Sequence, residues 1–199
     1  MSIKTLNFTV TGFAPLLLNN PQTADPLNHY SKLIKPITSK ASRKTDDDWA
    51  ELHDLEIRSK IYWDDEIGIY IPGTWIIASI GGVSNSVAKI GKAKIRGGVF
   101  MNESKIKLNY KGISKVSDPL DIVKNSDFRH KMILPQGQVR LPKVFPIFHE
   151  WSFESSLEFD ESVTTSRDLQ LMMERAAHYA GYGDFRPTFG RATVESDEQ

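Results

Sequence analysis

The sequence predicts an α+β fold, an antiparallel sheet with helices on one face and one long inserted loop. Three observations carry that expectation. Stretches 6–11 and 145–159 alternate apolar and polar residues with the period of a half-buried strand. Stretches 45–61 and 166–181 repeat apolar residues at helical spacing behind a residue able to cap a helix. The order is strand, helix, strand, helix, several strands, helix, strand, which suits helices segregated to one face of an antiparallel sheet.

The elements follow in order. Leu6, Phe8 and Val10 alternate with Asn7, Thr9 and Thr11, a half-buried strand. Asn19-Asn20-Pro21 breaks the chain after three leucines. Residues 19–44 are polar, basic and poorly periodic, so they read as a mobile insertion with a short helix near 29–35. Thr45 caps a helix whose first turn is Asp46-Asp47-Asp48 and whose stripe is Trp49, Leu52 and Leu55; the acids read as its solvated face. Residues 67–71 form a short strand, Pro72-Gly73 turns, and 74–88 is helical. Ile106, Leu108 and Tyr110 mark a strand with Lys105 and Lys107 on its other face. Pro135-Gln136-Gly137 is a hairpin tip. Phe145, Ile147, Trp151, Phe153, Leu157 and Phe159 share one parity of a single long strand. Ser166 caps a last helix with Leu169, Met172, Met173, Ala176 and Ala180 on its apolar face, and Gly181 ends it. A final strand covers 189–194, followed by a disordered tail at 195–199. Residues 1–199 read as a single domain.

Composition narrows the function. The 199 residues are 40% hydrophobic and 25% charged, an ordinary globular balance. With no cysteine there is no disulfide, zinc ribbon or thiol nucleophile. No apolar run approaches the roughly 18 residues of a membrane span. The start of the chain lacks the layout of a signal peptide, so the expectation is a cytoplasmic protein with no membrane partner. Enzyme templates fail. There is no Gly-x-Ser-x-Gly elbow and no His-Glu-x-x-His. Gly181-Tyr182-Gly183 begins like a dinucleotide fingerprint, but Arg186 holds the place of the third glycine. The expectation is a protein without a metal, a cofactor or an enzymatic activity.

Charge is zero in total but segregated. Residues 46–66 hold nine acids against Arg58 and Lys60, and 89–115 hold eight bases against Glu103. Residues 32–44 add five cations and no acid. The stretch 89–98 places Lys89, Lys92, Lys94 and Arg96 among glycines, as a flexible loop tracking phosphates would need. Residues 181–191 combine three glycines, three aromatics and two arginines; Tyr182 can stack on a base while Arg186 and Arg191 meet phosphates, unless the aromatics complete the core. Lys40, Arg43 and Lys44 lie in the insertion, which is expected to close over a bound strand.

Tyr70-Ile71-Pro72-Gly73-Thr74, followed by a helix, resembles the strand–Ile-Pro-Gly-Ser–helix signature of the RAMP superfamily, the RNA-binding backbone subunits and processing proteins of CRISPR effector complexes. Residues 181–191 are similar to that superfamily's C-terminal glycine-rich loop, and 6–10 sit where its first strand would. The layout also resembles small proteins of tailed phages. Trp75-Ile76-Ile77-Ala78-Ser79 is more apolar than the family's basic helix start. The resemblance implies a ferredoxin-like, RRM-related core that binds single-stranded RNA or DNA without sequence preference and assembles as a homo-oligomer along it, in a phage or mobile-element setting and hence a host cytoplasm. Two other readings stand beside it. One is an interaction protein docking on a host or phage protein, or head to tail on itself through the acidic and basic segments. The other is a metal-dependent ribonuclease, for which the resemblance makes Asp25 the candidate carboxylate; Asp25 before Pro26 also reads as a turn residue.

Overall fold

The structure, a computed structural model, describes residues 2–198. In chain order the strands and helices are β1 (Ile3–Gly12), β2 (Leu16–Leu17), α1 (His29–Thr38), α2 (Asp46–Lys60), β3 (Trp63–Asp64), β4 (Gly68–Pro72), α3 (Thr74–Ala88), α4 (Lys92–Gly98), β5 (Val99–Met101), β6 (Lys105–Lys107), α5 (Pro119–Lys124), β7 (Arg129–Gln136), β8 (Val139–Phe148), β9 (Ser152–Asp160), α6 (Ser166–Arg175) and β10 (Ala192–Glu198). The fold is α+β with antiparallel sheets. Its contacts cluster in two compact units where the sequence reads as one domain: residues 2–16, 64–111 and 148–198 in the first, 17–63 and 112–147 in the second.

The first unit is built on a four-stranded sheet in the order β10-β1-β9-β5, with every neighbour antiparallel. Register puts the alternation of β1 to use. Leu6 faces Leu157, Val10 faces both Phe153 and Val194, and Val99 faces Phe159, so one side of the sheet is continuous hydrocarbon. All of these except Val194 are at most 3% exposed. Helices α3 and α6 pack on each other and touch the edge strands β5 and β10, burying Ile76, Ile80, Leu169, Met172 and Met173. Thr165, one residue before the expected cap, accepts the N–H of Asp168 to start α6. The helix ends in a π turn, Ala176–Ala180, that Gly181 closes.

Gly73 explains the Ile-Pro-Gly-Thr run locally. Its N–H donates to the Ser104 carbonyl at 2.9 Å, and any Cβ there would overlap the Glu103 carbonyl oxygen. Glycine is what lets the backbone entering β6 pass the start of α3.

Several expectations change. Residues 145–159 are not one strand but two, β8 and β9, broken where Glu150 takes a left-handed φ of 48°. Three residues, His149, Glu150 and Trp151, separate the strands, so apolar residues of one parity continue across the break and hide the turn. Of the tail expected to be disordered at 195–199, residues 195–198 belong to β10, with Glu195 opposite Thr9 and Asp197 opposite Asn7. Residue 199 lies outside the described residues. The basic stretch 89–98 is not a loop, because α4 forms over most of it around buried Ile95 and Gly98.

In the second unit the insertion at 19–44 is helical. Asn28 caps α1 through the Tyr30 N–H, and short 3-10 turns flank it at Pro21–Ala24 and Ala41–Arg43. Ile37 packs with Leu52 and Leu55 of α2, and Tyr30, Ile34 and Trp49 close the cluster. Leu27 and Leu33 stay exposed. The capping box at Thr45 forms with Asp48, whose carboxylate accepts the Thr45 N–H at 2.9 Å. The hairpin tip falls at Gly137, with Gln136 opposite Val139.

Candidate nucleic-acid interface

The most cationic exposed element of the first unit is α4. Lys92, Lys94 and Arg96 are exposed on it, and Lys89, in left-handed conformation at the end of α3, precedes it. None of the four forms an ion pair with another described residue. The stem of Lys92 lies along α3 at Gly81, where a Cβ would meet Lys92 Cγ at 3.1 Å, so the ammonium is carried outward by packed methylenes.

Beside α4 runs a groove of about 690 Å³ lined by Arg96, Thr74, Phe100, Asn102, Glu103 and Ser104, among others. Phe100 is 46% exposed on the edge strand β5, although Val99 before it is buried. Sequence reasoning passed over Phe100; the available signal was an aromatic out of step with Val99, two residues after a basic run.

The other expected contacts divide. Lys105 and Lys107 point to the exposed face of β6, as read. Lys105, however, is held by Asp64 at 2.5 Å and lies over the Tyr70 ring, 5.3 Å from its centroid. That hydrogen bond lowers the Asp64 carboxyl and raises the Lys105 ammonium from their ordinary values. Lys107 is exposed.

Tyr182 is not a stacking platform. It is 1% exposed, set edge-on to Trp151 and Phe153 with centroids 6.4 and 5.7 Å away. The glycines around it serve the backbone. Tyr182 N–H donates to Gly190 O and Gly190 N–H to Pro15 O, each at 2.8 Å, and Gly190 sits at φ 75° where a Cβ would overlap the Tyr182 carbonyl. Arg186 is exposed and reaches back to the Gly181 carbonyl at 3.4 Å. Arg191 lies over the Phe13 ring at 5.2 Å with its Nε sealed from solvent, so it is a packing residue more than a phosphate contact.

In the second unit, Lys40 is bound to the buried carboxylate of Asp48, and Lys44 donates to the Ala41 carbonyl at 2.8 Å while covering the Trp49 ring. Both are engaged within their own unit; Arg43 is exposed. Asp25 is a turn residue, its carboxylate accepting the Leu27 N–H at 2.8 Å. Among the described residues no group of three or more His, Cys, Asp or Glu side chains is placed to hold a metal ion.

The acidic segment is also redistributed. Asp48, Asp54, Glu56 and Asp64 pair with Lys40, Arg129, Lys143 and Lys105, while Asp46, Asp47 and Glu51 stay exposed as the solvated face of α2. A second acidic surface lies on the polar side of the four-stranded sheet. Register places Glu154 and Glu195 on either side of Thr9, with Glu158 and Asp197 on the same face. The open face of the four-stranded sheet thus carries carboxylates, which repel phosphates.

No family model matches the chain, and no curated protein matches its sequence. No described helix is long and apolar enough to cross a membrane.

Proposed function

We propose that the chain binds single-stranded RNA or DNA, largely without regard to sequence, in the groove beside α4. One observation carries the reading: Arg96 and the exposed ring of Phe100 line the same groove, beside three further cations that no acid neutralises. A single strand asks for such a surface, cations for its phosphates and an aromatic face for a base. Register puts Phe100 opposite Glu158, at the edge of the acidic sheet face, so the carboxylates keep the strand at that edge and off the sheet surface an RRM would use. In support of a ferredoxin-like core, β1, α3, β5, β9, α6 and β10, taken in chain order with the other elements inserted between them, give βαββαβ around the order β10-β1-β9-β5. The RAMP resemblance and a phage or mobile-element setting belong to this same proposal.

Anisotropy titrations with labelled oligo-dT and oligo-U test it. Four phosphate contacts give a slope of log affinity on log salt of about −3. Phe100→Ala weakens binding by about 1–3 kcal/mol at every sequence. No binding of either oligonucleotide at low salt refutes the reading.

A second reading has its own support. The carboxylates of the sheet face are complementary to α4, so a second copy, or another basic protein, docks there. Salt-sensitive self-association in the absence of nucleic acid, abolished by Glu154→Gln with Glu195→Gln, distinguishes it from strand binding.

A further inference from the structure

The second unit contains a cavity, mostly apolar but with a charged cluster on its wall, that the reading above does not use. Its volume is about 660 Å³, within the range of small-ligand sites. Its charged lining consists of Lys35, Lys60, Lys143 and a single acid, Glu56. Glu56 is 4% exposed. It accepts from Lys143 Nζ at 2.7 Å and from the Val144 N–H at 3.0 Å, and Lys60 Nζ stands 3.8 Å away. Lys60 also donates to the Val144 carbonyl and lies over the Phe145 ring, 3.7 Å from its centroid. The cluster therefore fixes two ammonium groups at the cavity wall with only 12% and 31% of their side chains exposed. Lys35, on exposed α1, adds a third at the rim.

Three cations against one carboxylate leave the lining two charges positive. Of the three, Lys60 and Lys143 are largely sequestered and share the single carboxylate of Glu56, and sequestered positive charge is costly unless a counter-charge joins it. The same wall presents Ile34, Leu134 and Phe145, an apolar surface too large for an inorganic ion alone. We infer that this cavity binds a phosphate monoester: the dianion meets Lys35 and Lys143, and an apolar or aromatic body rests on Ile34, Leu134 and Phe145. This site is independent of the α4 groove.

Calorimetric titration of the full chain at constant ionic strength, with adenosine 5′-monophosphate, inorganic phosphate and adenosine as probes, tests the inference. The expected result is saturable binding of the monophosphate, tighter than that of phosphate, with no binding of adenosine. Lys143→Gln weakens the monophosphate about tenfold, the loss of one charge-assisted contact. Because Lys143 also holds Glu56, Lys35→Gln, an exposed change that leaves the core intact, is measured beside it and gives a similar loss. Lys92→Gln with Lys94→Gln loses oligonucleotide binding and keeps the monophosphate. The inference is overturned if the monophosphate does not saturate, if it binds no tighter than phosphate, or if both lysine variants bind like the parent. None of those results touches the oligonucleotide titration.

Discussion

Tyr182 shows what a single side chain does when an aromatic wall encloses it. Its hydroxyl is sealed from solvent beside that of Ser79, without a hydrogen bond of ordinary geometry. Burial pushes the phenol up to about 12, with Ser79 opposing weakly. The folded state therefore holds this proton more tightly than the unfolded chain. Its contribution is complete below pH 10 and is lost as pH rises from 10 to 12, about 2–3 kcal/mol in all. Replacing Tyr182 by Phe keeps the shape and removes a poorly satisfied hydroxyl, so denaturant unfolding at pH 7 changes by less than about 1 kcal/mol. Tyr182→Ala empties a site walled by Trp151 and Phe153 and costs about 3–5 kcal/mol. A Phe variant as damaging as the Ala variant would mean that the hydroxyl, not the ring, is what the core requires.

Among the elements, α2 is anchored at its two ends by different chemistry. Thr45 and Asp48 satisfy its first N–H groups, and near its end Glu56 ties it to β8 through Lys143 and the Val144 N–H. Glu56→Gln leaves lysines facing a neutral amide in a nearly dry place. Removal of one partner of a buried pair costs about 3–5 kcal/mol, and the partial exposure of Lys143 reduces this to about 2–3. Urea titration reads that loss, and the double change Glu56→Gln with Lys143→Met recovers much of it. Elements with a clean apolar stripe were legible in the sequence: β1, the start of α2, α3 and the face of α6 lie close to where periodicity puts them. Helix α1 was legible near 29–35, but its last turn beyond Pro36 and its packing through Ile37 were not, because a proline and a single buried residue leave no stripe to read. Helix α4 was hidden by glycines, since Gly97 and Gly98 argue for a loop unless Val163, packed where a Cβ at Gly98 would stand, is known. The cations of α4 were legible as a cluster because charge needs no tertiary context to be counted. Tyr182 and Arg191 were not, because only the fold decides whether a ring in a glycine-rich turn faces inward.

The whole molecule answers to pH in two places. In the second unit, His53 packs beside Trp49 with its Nε2 sealed and unpartnered, and burial, with Lys131 nearby, lowers it from 6.5. Its stabilising contribution is complete above pH 6.5 and declines as pH falls below that value, because the unfolded chain then takes up the proton first. Asp48, lowered from 3.8 chiefly by the Lys40 hydrogen bond, follows only in stronger acid. In the first unit the buried phenols Tyr110 and Tyr182, both pushed to about 12, act at the alkaline end. Amide-exchange protection, corrected for the intrinsic pH dependence of exchange, falls in the second unit between pH 7.5 and 5.5, and His53→Phe removes the difference; an equal fall in both units would refute the assignment. The two units also differ in when they become possible at all. The second is fully specified by residue 147, whereas the sheet of the first waits for Ala192–Glu198 to lie against Ile3–Gly12. On a ribosome, β1 emerges before the other strands described and is thus among the last to find both neighbours. Until then β1 offers an unpaired, alternating edge to any passing chain, and that interval of synthesis is when it is most open to aggregation or to a chaperone.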